Sequence, residues 1–360
     1  MSVEQNTQEK TAQVYNLIIL DESGSMAGVT GQTITGCNET LNGIRSTATE
    51  DKEQRQFVSI FCFDSSHSRY LFHNTPIDKV RDLTSDDYCP NACTPLYDAI
   101  GNTVSLLSKI ATDSESIGKV TIITDGYENA SQKWNHSSVV ELIESLKKKG
   151  WLFTFMGANI DVEHTSRSLG IDSFMEFQQT DIGMREMFEC ERRSQKAYSK
   201  KMSFMRRSKF FADASEEERE QMLSSMNENY FTEGDRIAPD FIQTLNPDEI
   251  FVFGSNIYGS HKGGAAGLAV ANFGAIMGQA EGIQGQSYAI PTVGNTFDEV
   301  KMAIDRFTEY VVLHPKQKFL LTAIGCGNAG YTPGLVAPLF NQAYEFGNVY
   351  VPAIFYPFVK

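Results

Sequence analysis

Apolar runs and polar segments alternate along the first half of the chain. Strand-like runs occur at YNLIIL (15–20), FVSIFCF (57–63), KVTIIT (119–124) and WLFTFMG (151–157), each next to an Asp or Gly. Segments with helical spacing lie between them, notably LYDAIGNTVSLLSKI and VVELIESLKKK. Strands that alternate with helices predict an α/β domain with a doubly wound, mostly parallel sheet covered on both faces. We expect this sheet to end near Ile171.

The pattern changes between about Gly183 and Asn229, where the chain is rich in charge and Met and contains no Pro. This composition predicts helices, the last beginning at Ser215 with Glu218 three residues on, a capping box. Its basic residues near 200–209 form either a binding patch or, as we prefer, a solvated helical face. A strand-like run, IFVFG, then begins a second alternating, glycine-rich region. We therefore predict a first domain at 14–180, a helical connector at 181–246 and a second α/β domain at 247–360.

Length and charge agree with this division and restrict the partners. A chain of 360 residues exceeds what one core usually serves. The net charge of −14 argues against nucleic acid, because phosphate backbones are held by surplus Lys and Arg. No apolar run approaches the roughly 20 residues that span a bilayer, and the start is too polar for a signal peptide. We expect a cytoplasmic protein without membrane contact.

The six cysteines are scattered and predict reduced thiols. Cys89 and Cys93 are the one close pair. Their spacing suits half of a zinc site, but no second pair completes it, so loop cysteines are the preferred interpretation.

Small oxygen-bearing side chains follow the first strand. Asp21, Ser23 and Ser25 alternate directly after its apolar run, Thr94 precedes a predicted helix, and Asp125 ends another strand. Ligands of open parallel sheets lie beyond the carboxyl ends of the strands, so these loops are expected to converge. Hydroxyl and carboxylate oxygens suit Mg²⁺ or Mn²⁺. The alternative is that these residues only form turns and cap helices.

These three pieces, Asp-x-Ser-x-Ser, Thr-Pro-Leu and Thr-Asp-Gly, resemble the metal-ion-dependent adhesion site of von Willebrand factor A domains. The resemblance covers roughly residues 14–180. It implies that Ser23, Ser25 and Thr94 contact the metal directly, while Asp21 and Asp125 act mostly through water. It also implies an open coordination position that an acidic residue of a partner protein completes.

The second region carries two glycine loops between a strand and a helix, in GSNIYGSHKGGAA and IGCGNAGY. Glycines let a backbone approach a ligand, and a helix N-terminus favours phosphate. Two such loops predict a diphosphate or nucleotide-like ligand. His261, in the first loop, is either a general acid or, as we prefer, a flexible surface residue.

The ordered set resembles a macro domain, a three-layer α/β/α family that binds ADP-ribose and in some branches removes it from proteins. The resemblance covers residues 249–360. It implies a pocket in which Asn256 faces the distal ribose and would orient water in any hydrolysis. The implied ligand-binding residues are Gly254, Ser255, Asn256, Gly263, Gly264, Gly325, Gly327, Gly330 and Tyr331. The usual Gly-Asp-Ile turn for adenine is not recognisable, which leaves adenine recognition and hydrolysis open.

Two functions follow. The first is a metal-dependent protein-binding adaptor coupled to a domain that binds, or also hydrolyses, ADP-ribose or a related nucleotide derivative. The second is a non-enzymatic interaction protein with a Mg²⁺-dependent adhesion site and a ligand-free macro-like domain.

Overall fold

The computed structural model describes residues 12–52, 54–112, 116–158, 160–176, 181–226 and 235–359. The chain divides into two compact units, Met1–Lys196 with Ser215–Asn227, and Ala197–Ala214 with Glu228–Lys360. The predicted connector at 181–246 is thus shared between the units, and the boundary falls inside a single long helix. Among the described residues, no helix is long and apolar enough to cross a membrane.

The N-terminal unit is built on one mixed sheet. Its strands are β1 (Ala12–Asp21), β2 (Gln54–Phe63), β3 (Ser68–Pro76), β4 (Ile117–Thr124), β5 (Leu152–Gly157) and β6 (Ser173–Glu176). The order is β3-β2-β1-β4-β5-β6, and every pair is parallel except β2 with β3. The predicted mostly parallel α/β sheet is confirmed.

Helices of this unit lie between and after these strands. They are α1 (Thr30–Glu50), α2 (Leu96–Ile110), α3 (His136–Lys147), α4 (Val162–Ser168), the first part of α5 (Asp181–Arg207) and, beyond α6 (Lys209–Asp213), α7 (Glu216–Ser225). The capping box predicted at the start of α7 is present: Ser215 accepts from the Glu218 amide at 3.3 Å, and the Glu218 carboxylate accepts from the Ser215 amide at 2.8 Å. One core cluster packs α2 and α3 against β1, β4 and β5.

The register of the sheet brings the ends of three strands to the same level. Asp21, the last residue of β1, pairs with Phe63 at the end of β2, and Leu20 pairs with Ile123 beside the end of β4. Buried parallel strands of this kind read as continuous apolar runs in a sequence. Loops that leave β1, β2 and β4 therefore begin at one edge of the sheet.

The C-terminal unit has a second sheet of five strands. They are β7 (Glu249–Asn256), β8 (Gly282–Gln284), β9 (Ser287–Val293), β10 (Lys318–Leu321) and β11 (Val349–Tyr350). The order is β11-β10-β7-β9-β8, with only the β8–β9 pair antiparallel. Its helices are the last part of α5, α6, α8 (Gly264–Asn272), α9 (Phe297–Leu313), α10 (Pro333–Val336) and α11 (Asn341–Glu345).

Opposite faces of this sheet carry different helices. Leu320 of β10 belongs to the cluster that contains Phe253 and residues of α8. Its neighbour Phe319 packs edge-on against Phe307 of α9, with ring centroids 5.6 Å apart. Because successive strand residues point to opposite faces, helices cover the sheet on both sides.

Candidate metal centre

Asp21 is fully buried at the end of β1. One carboxylate oxygen accepts the Ser23 amide at 2.7 Å, and the other accepts the Thr124 hydroxyl at 2.6 Å. The first contact forms an Asx-turn, the turn that the alternative interpretation of these residues predicts. The second ties the loop after β1 to the end of β4, 103 residues away in sequence.

Two serine hydroxyls continue this network toward solvent. The Ser23 and Ser25 oxygens lie 3.1 Å apart, and the Ser25 hydroxyl donates to Asp125 at 2.5 Å. Ser23 and Asp125 are buried, whereas Ser25 is exposed. The oxygen cluster therefore opens to the surface beside Ser25.

Thr94 reaches the same place from the start of α2. Its amide donates to the Asn129 side chain at 2.9 Å, and the Asn129 amide donates to the Thr94 carbonyl at 3.1 Å. A methyl group added at Gly126 would come within 2.9 Å of the Thr94 hydroxyl and 3.8 Å of Asp21 Oδ2. The structure thus brings all five predicted residues to one edge of the sheet.

The alternative role of these residues as helix caps is not what the structure shows. Pro95, not Thr94, occupies the N-cap position of α2 and makes no side-chain cap bond. Ser23 stands at the N-cap of a 3₁₀ turn, Gly24–Val29, and its hydroxyl makes no cap bond there. The Ser23 and Thr94 hydroxyls are therefore not used as caps.

Burial raises the pKa of Asp21 to about 6, and the nearby Asp125 carboxylate adds to the rise. Two carboxylates in one desolvated place favour a bound cation. Three hydroxyls with two carboxylates match the oxygen preference of Mg²⁺ and Mn²⁺. The residues present fit such an ion, which would supply an electrophilic position at the surface.

Within the described ranges, no three His, Cys, Asp or Glu side chains gather to hold a metal. The candidate centre accordingly depends on its hydroxyls. Cys89 and Cys93 are exposed free thiols.

Sequence reasoning missed an ion pair between a buried carboxylate and a partly exposed arginine that supports the centre. Glu22 is 1% exposed, and its carboxylate accepts from the Arg69 guanidinium at 2.5 and 2.9 Å and from the Cys89 amide at 2.7 Å. The Tyr88 hydroxyl donates to the Asp21 carbonyl at 2.6 Å. These contacts hold the segment before Thr94 against the loop that carries Ser23.

The glycine loops of the C-terminal unit also meet at strand ends. A methyl group on Gly254 of β7 would lie 3.6 Å from the Gly325 amide, beyond β10. Gly325 has φ +78° and lies against Tyr331, whose ring contacts Phe297 at 5.6 Å between centroids. The positions with open space around them are Gly263, Gly264, Gly327 and Gly330.

Asn256 and His261 are held inside the first glycine loop. The side-chain Nδ2 of Asn256 donates to the Ser260 carbonyl at 3.0 Å. Its Oδ1 accepts from the backbone N–H groups of Tyr258 and Ser260 in the same turn. The expectation of a flexible surface His261 is wrong: it is 2% exposed, packs edge-on against Phe253, and its Nε2 lies 3.0 Å from the Gln279 carbonyl. Ser255 is buried beside it.

No family model matches this sequence, and no curated protein does. Among solved structures, the chain is similar to proximal thread matrix protein 1 from the mussel byssus, with 12% identity, a TM-score of 0.37, and coverage of 50% of this chain and 45% of that one. It thus spans less than half the length of the mussel protein.

The chain is also similar to the VWA domain of SpRpn10, with 10% identity, a TM-score of 0.36, and coverage of 49% of this chain and 93% of that one. A third similarity is to the manganese-loaded TRAP protein of Plasmodium vivax, with 14% identity, a TM-score of 0.32, and coverage of 50% and 74%. The macro-like assignment of residues 247–360 finds no support among these matches and stays a prediction. The N-terminal unit is a mixed α/β domain with a six-stranded, mostly parallel sheet whose loops converge at one edge.

Proposed function

We propose that the N-terminal unit is a metal-dependent protein-interaction domain. The observation that carries this proposal is the convergence of three separate loops on one solvent-facing group of oxygens: Ser25 and Asp125, 100 residues apart, lie 2.5 Å from each other. Mg²⁺ or Mn²⁺ is the proposed ion.

Each residue has a distinct task in this proposal. The Ser23, Ser25 and Thr94 hydroxyls would hold the ion directly, and Asp21 and Asp125 would orient its waters. Neutral ligands leave the ion electron-poor, so a carboxylate of a partner protein would complete its shell. Recognition of this kind needs no base, and no histidine lies in the three motifs.

We expect the double variant Ser23→Ala, Ser25→Ala to lose at least about tenfold in Mn²⁺ affinity by calorimetry, because two direct ligands are removed. Wild-type protein should melt at a higher temperature with Mg²⁺ than with EDTA, since ligand binding stabilises the folded state. The matched control is Ser85→Ala, Ser137→Ala, two exposed serines outside the centre. Equal Mn²⁺ binding by the variant and the control would contradict the proposal.

For the C-terminal unit we propose binding of ADP-ribose or a related nucleotide derivative. The supporting observation is the group of open glycines beyond the ends of β7 and β10, next to Tyr331. The Asn256 amide is already engaged in its own turn, which favours binding over hydrolysis. Hydrolytic removal of ADP-ribose would require this turn to open.

Gly327→Leu is expected to abolish the thermal shift that ADP-ribose produces in the wild type. Gly327 has open space around it and no left-handed φ, so the larger side chain would occupy the proposed ligand-binding space without backbone strain. Gly28→Leu, at an equally open glycine of the N-terminal unit, is the control and should keep the shift. A wild type that shows no shift at saturating ADP-ribose would refute the nucleotide proposal and leave the ligand-free alternative.

A further inference from the structure

One large aromatic side chain stands open at the edge of the candidate metal centre. Tyr127 follows Asp125 by two residues, and 54% of it is exposed. Its hydroxyl accepts the Asp161 amide at 2.9 Å. The tip of the ring is thus anchored to the segment after β5 while the ring itself faces solvent.

The loop that carries Tyr127 is fixed by carboxylates that accept backbone amides. Glu128 accepts from Tyr97, Ala130 and Ser131 at 2.7–2.9 Å. Asp98 of α2 accepts from the next three amides along the loop, at 2.8–2.9 Å. These hydrogen bonds restrict the loop and the Tyr127 ring, so the ring loses little conformational entropy when a partner covers it. Rigid tyrosines contribute to binding surfaces in the same way.

The surface around the centre differs in charge from the protein as a whole. We define the rim as the exposed positions of segments 24–28, 65–67, 89–93 and 127–129, which hold Gly, Ala, Ser, Asn, Cys, His and a single Tyr. No rim position is acidic, although the chain carries a net charge of −14.

Acidic residues do occur in these loops, but they are turned inward. Glu22 is paired with Arg69, and Asp64 accepts the Ser66 and His67 amides at 2.5 and 2.6 Å. Asp161, an exposed acid whose amide bonds the Tyr127 hydroxyl, caps α4 through the amide of the residue three positions on. An anionic partner therefore meets no like charge on the exposed rim positions. Tyr127 is the one large apolar side chain among them.

We infer that the partner of this centre presents an acidic residue with an aromatic or aliphatic residue one or two positions away, and that the apolar side chain lies on the Tyr127 ring. This inference rests on the proposed metal-dependent function and specifies its ligand. A hydrophobic contact next to the metal-bound carboxylate would select among the many acidic residues on protein surfaces.

The test uses the full chain with saturating Mg²⁺ and three capped peptides displayed on a biosensor surface. The peptides are Ser-Gly-Glu-Phe-Phe-Gly, Ser-Gly-Glu-Gly-Gly-Gly and Ser-Gly-Gln-Phe-Phe-Gly. Wild-type protein should bind the Glu-Phe peptide about tenfold better than the Glu-Gly peptide, and EDTA should abolish both signals. The Gln peptide should not bind, because it has no carboxylate for the metal.

Tyr127→Ser should bind the Glu-Phe and Glu-Gly peptides equally, whereas Tyr127→Phe should keep most of the preference because it retains the ring. Tyr258→Ser, which removes a tyrosine that is 78% exposed in the other unit, is the matched control and should behave as wild type. Unchanged melting temperatures show that the variants are folded.

Two results would overturn the inference, and only the second would also overturn the proposed metal-dependent function. Equal, EDTA-sensitive binding of the Glu-Phe and Glu-Gly peptides by the wild type would remove the role of Tyr127 and leave the metal-dependent function intact. Binding of no peptide, or binding that EDTA does not change, would remove both.

Discussion

Replacing Gly36 by alanine is expected to destabilise the N-terminal unit by about 2–3 kcal/mol, because the new methyl group would overlap the ring of Phe188. Gly36 lies in α1 and Phe188 in α5, and both are buried. Seven residues further along α1, the Arg192 side chain packs against Gly43. The two glycines therefore form a groove that holds two side chains four residues apart on α5. Urea unfolding followed by circular dichroism measures the change.

Gly31→Ala is the matched control, since it makes the same substitution in the same helix at an exposed position with open space around it. There alanine should stabilise the unit by up to about 1 kcal/mol, which is the helix propensity difference. A second alanine at Phe188 should relieve the overlap, so the double variant Gly36→Ala, Phe188→Ala should show strong coupling. Stabilisation by Gly36→Ala alone would mean that α5 does not pack against α1 in this way.

The same helix shows what could not be read from the sequence. The four central strands were predicted because buried parallel strands form continuous apolar runs. Helix α1 has three glycines and six threonines among its 21 residues and therefore little helical signal. Its glycines admit α5, and its buried Thr33 and Thr40 hydroxyls donate to carbonyls four residues back. Both features depend on neighbours that local pattern does not reveal.

Edge strands were missed for a related reason. Every residue of β3 is exposed or only half-buried, so its apolar residues do not form a buried run. Arg69 lies in this strand and reaches Glu22 across 47 positions of sequence. The hydroxyls and carboxylates of the candidate centre could be predicted because they stand in three short motifs, whereas the Glu22–Arg69 pair depends on how β3 folds back on β2.

In the C-terminal unit, the strand–glycine–helix order was predictable but the use of the polar side chains was not. Asn256 could be assigned to a ligand on sequence grounds, yet its side chain bonds its own turn. Likewise His261 is enclosed because Gly259 lets its segment pass close to the backbone at Gly278. Such contacts between loops have no signature in composition or spacing.

The metal-free protein is expected to become more stable, by about 2–3 kcal/mol at neutral pH, when Asp21 is replaced by asparagine. Burial raises the pKa of Asp21 from 3.8 to about 6, so the ionised carboxylate opposes folding by about 3 kcal/mol above pH 6. Asparagine carries no charge and can still bond the Ser23 amide and the Thr124 hydroxyl.

The sign of the pH dependence follows from the raised pKa. Below pH 3.8 the carboxyl is protonated in both folded and unfolded chains, and its burial has no ionic cost. As the pH rises toward 6 the unfolded chain ionises first, so the wild type loses stability relative to Asp21→Asn over this window. Above pH 6 the difference should stay constant, which urea unfolding at a series of pH values in EDTA would show.

Mg²⁺ should make the wild type more stable than Asp21→Asn, because the ionised Asp21 carboxylate attracts the ion and the asparagine amide does not. Wild-type protein should gain stability with Mg²⁺ at pH 8 and lose that gain below pH 6, where protons compete for Asp21, while Asp21→Asn should gain much less from Mg²⁺ at pH 8, because only the three hydroxyls and Asp125 remain. Asp86→Asn, which removes an exposed carboxylate, is the control and should follow the wild type. If Asp21→Asn were less stable than the wild type in EDTA at pH 8, the buried carboxylate would stabilise the metal-free fold through its hydrogen bonds. The hypothesis that it destabilises the fold until a cation binds would then be wrong. The destabilisation by the Asp21 carboxylate in EDTA and the stabilisation by Mg²⁺ therefore test the same hypothesis. It states that the buried carboxylate lowers the free energy of unfolding of the metal-free protein and that a bound metal ion raises it again.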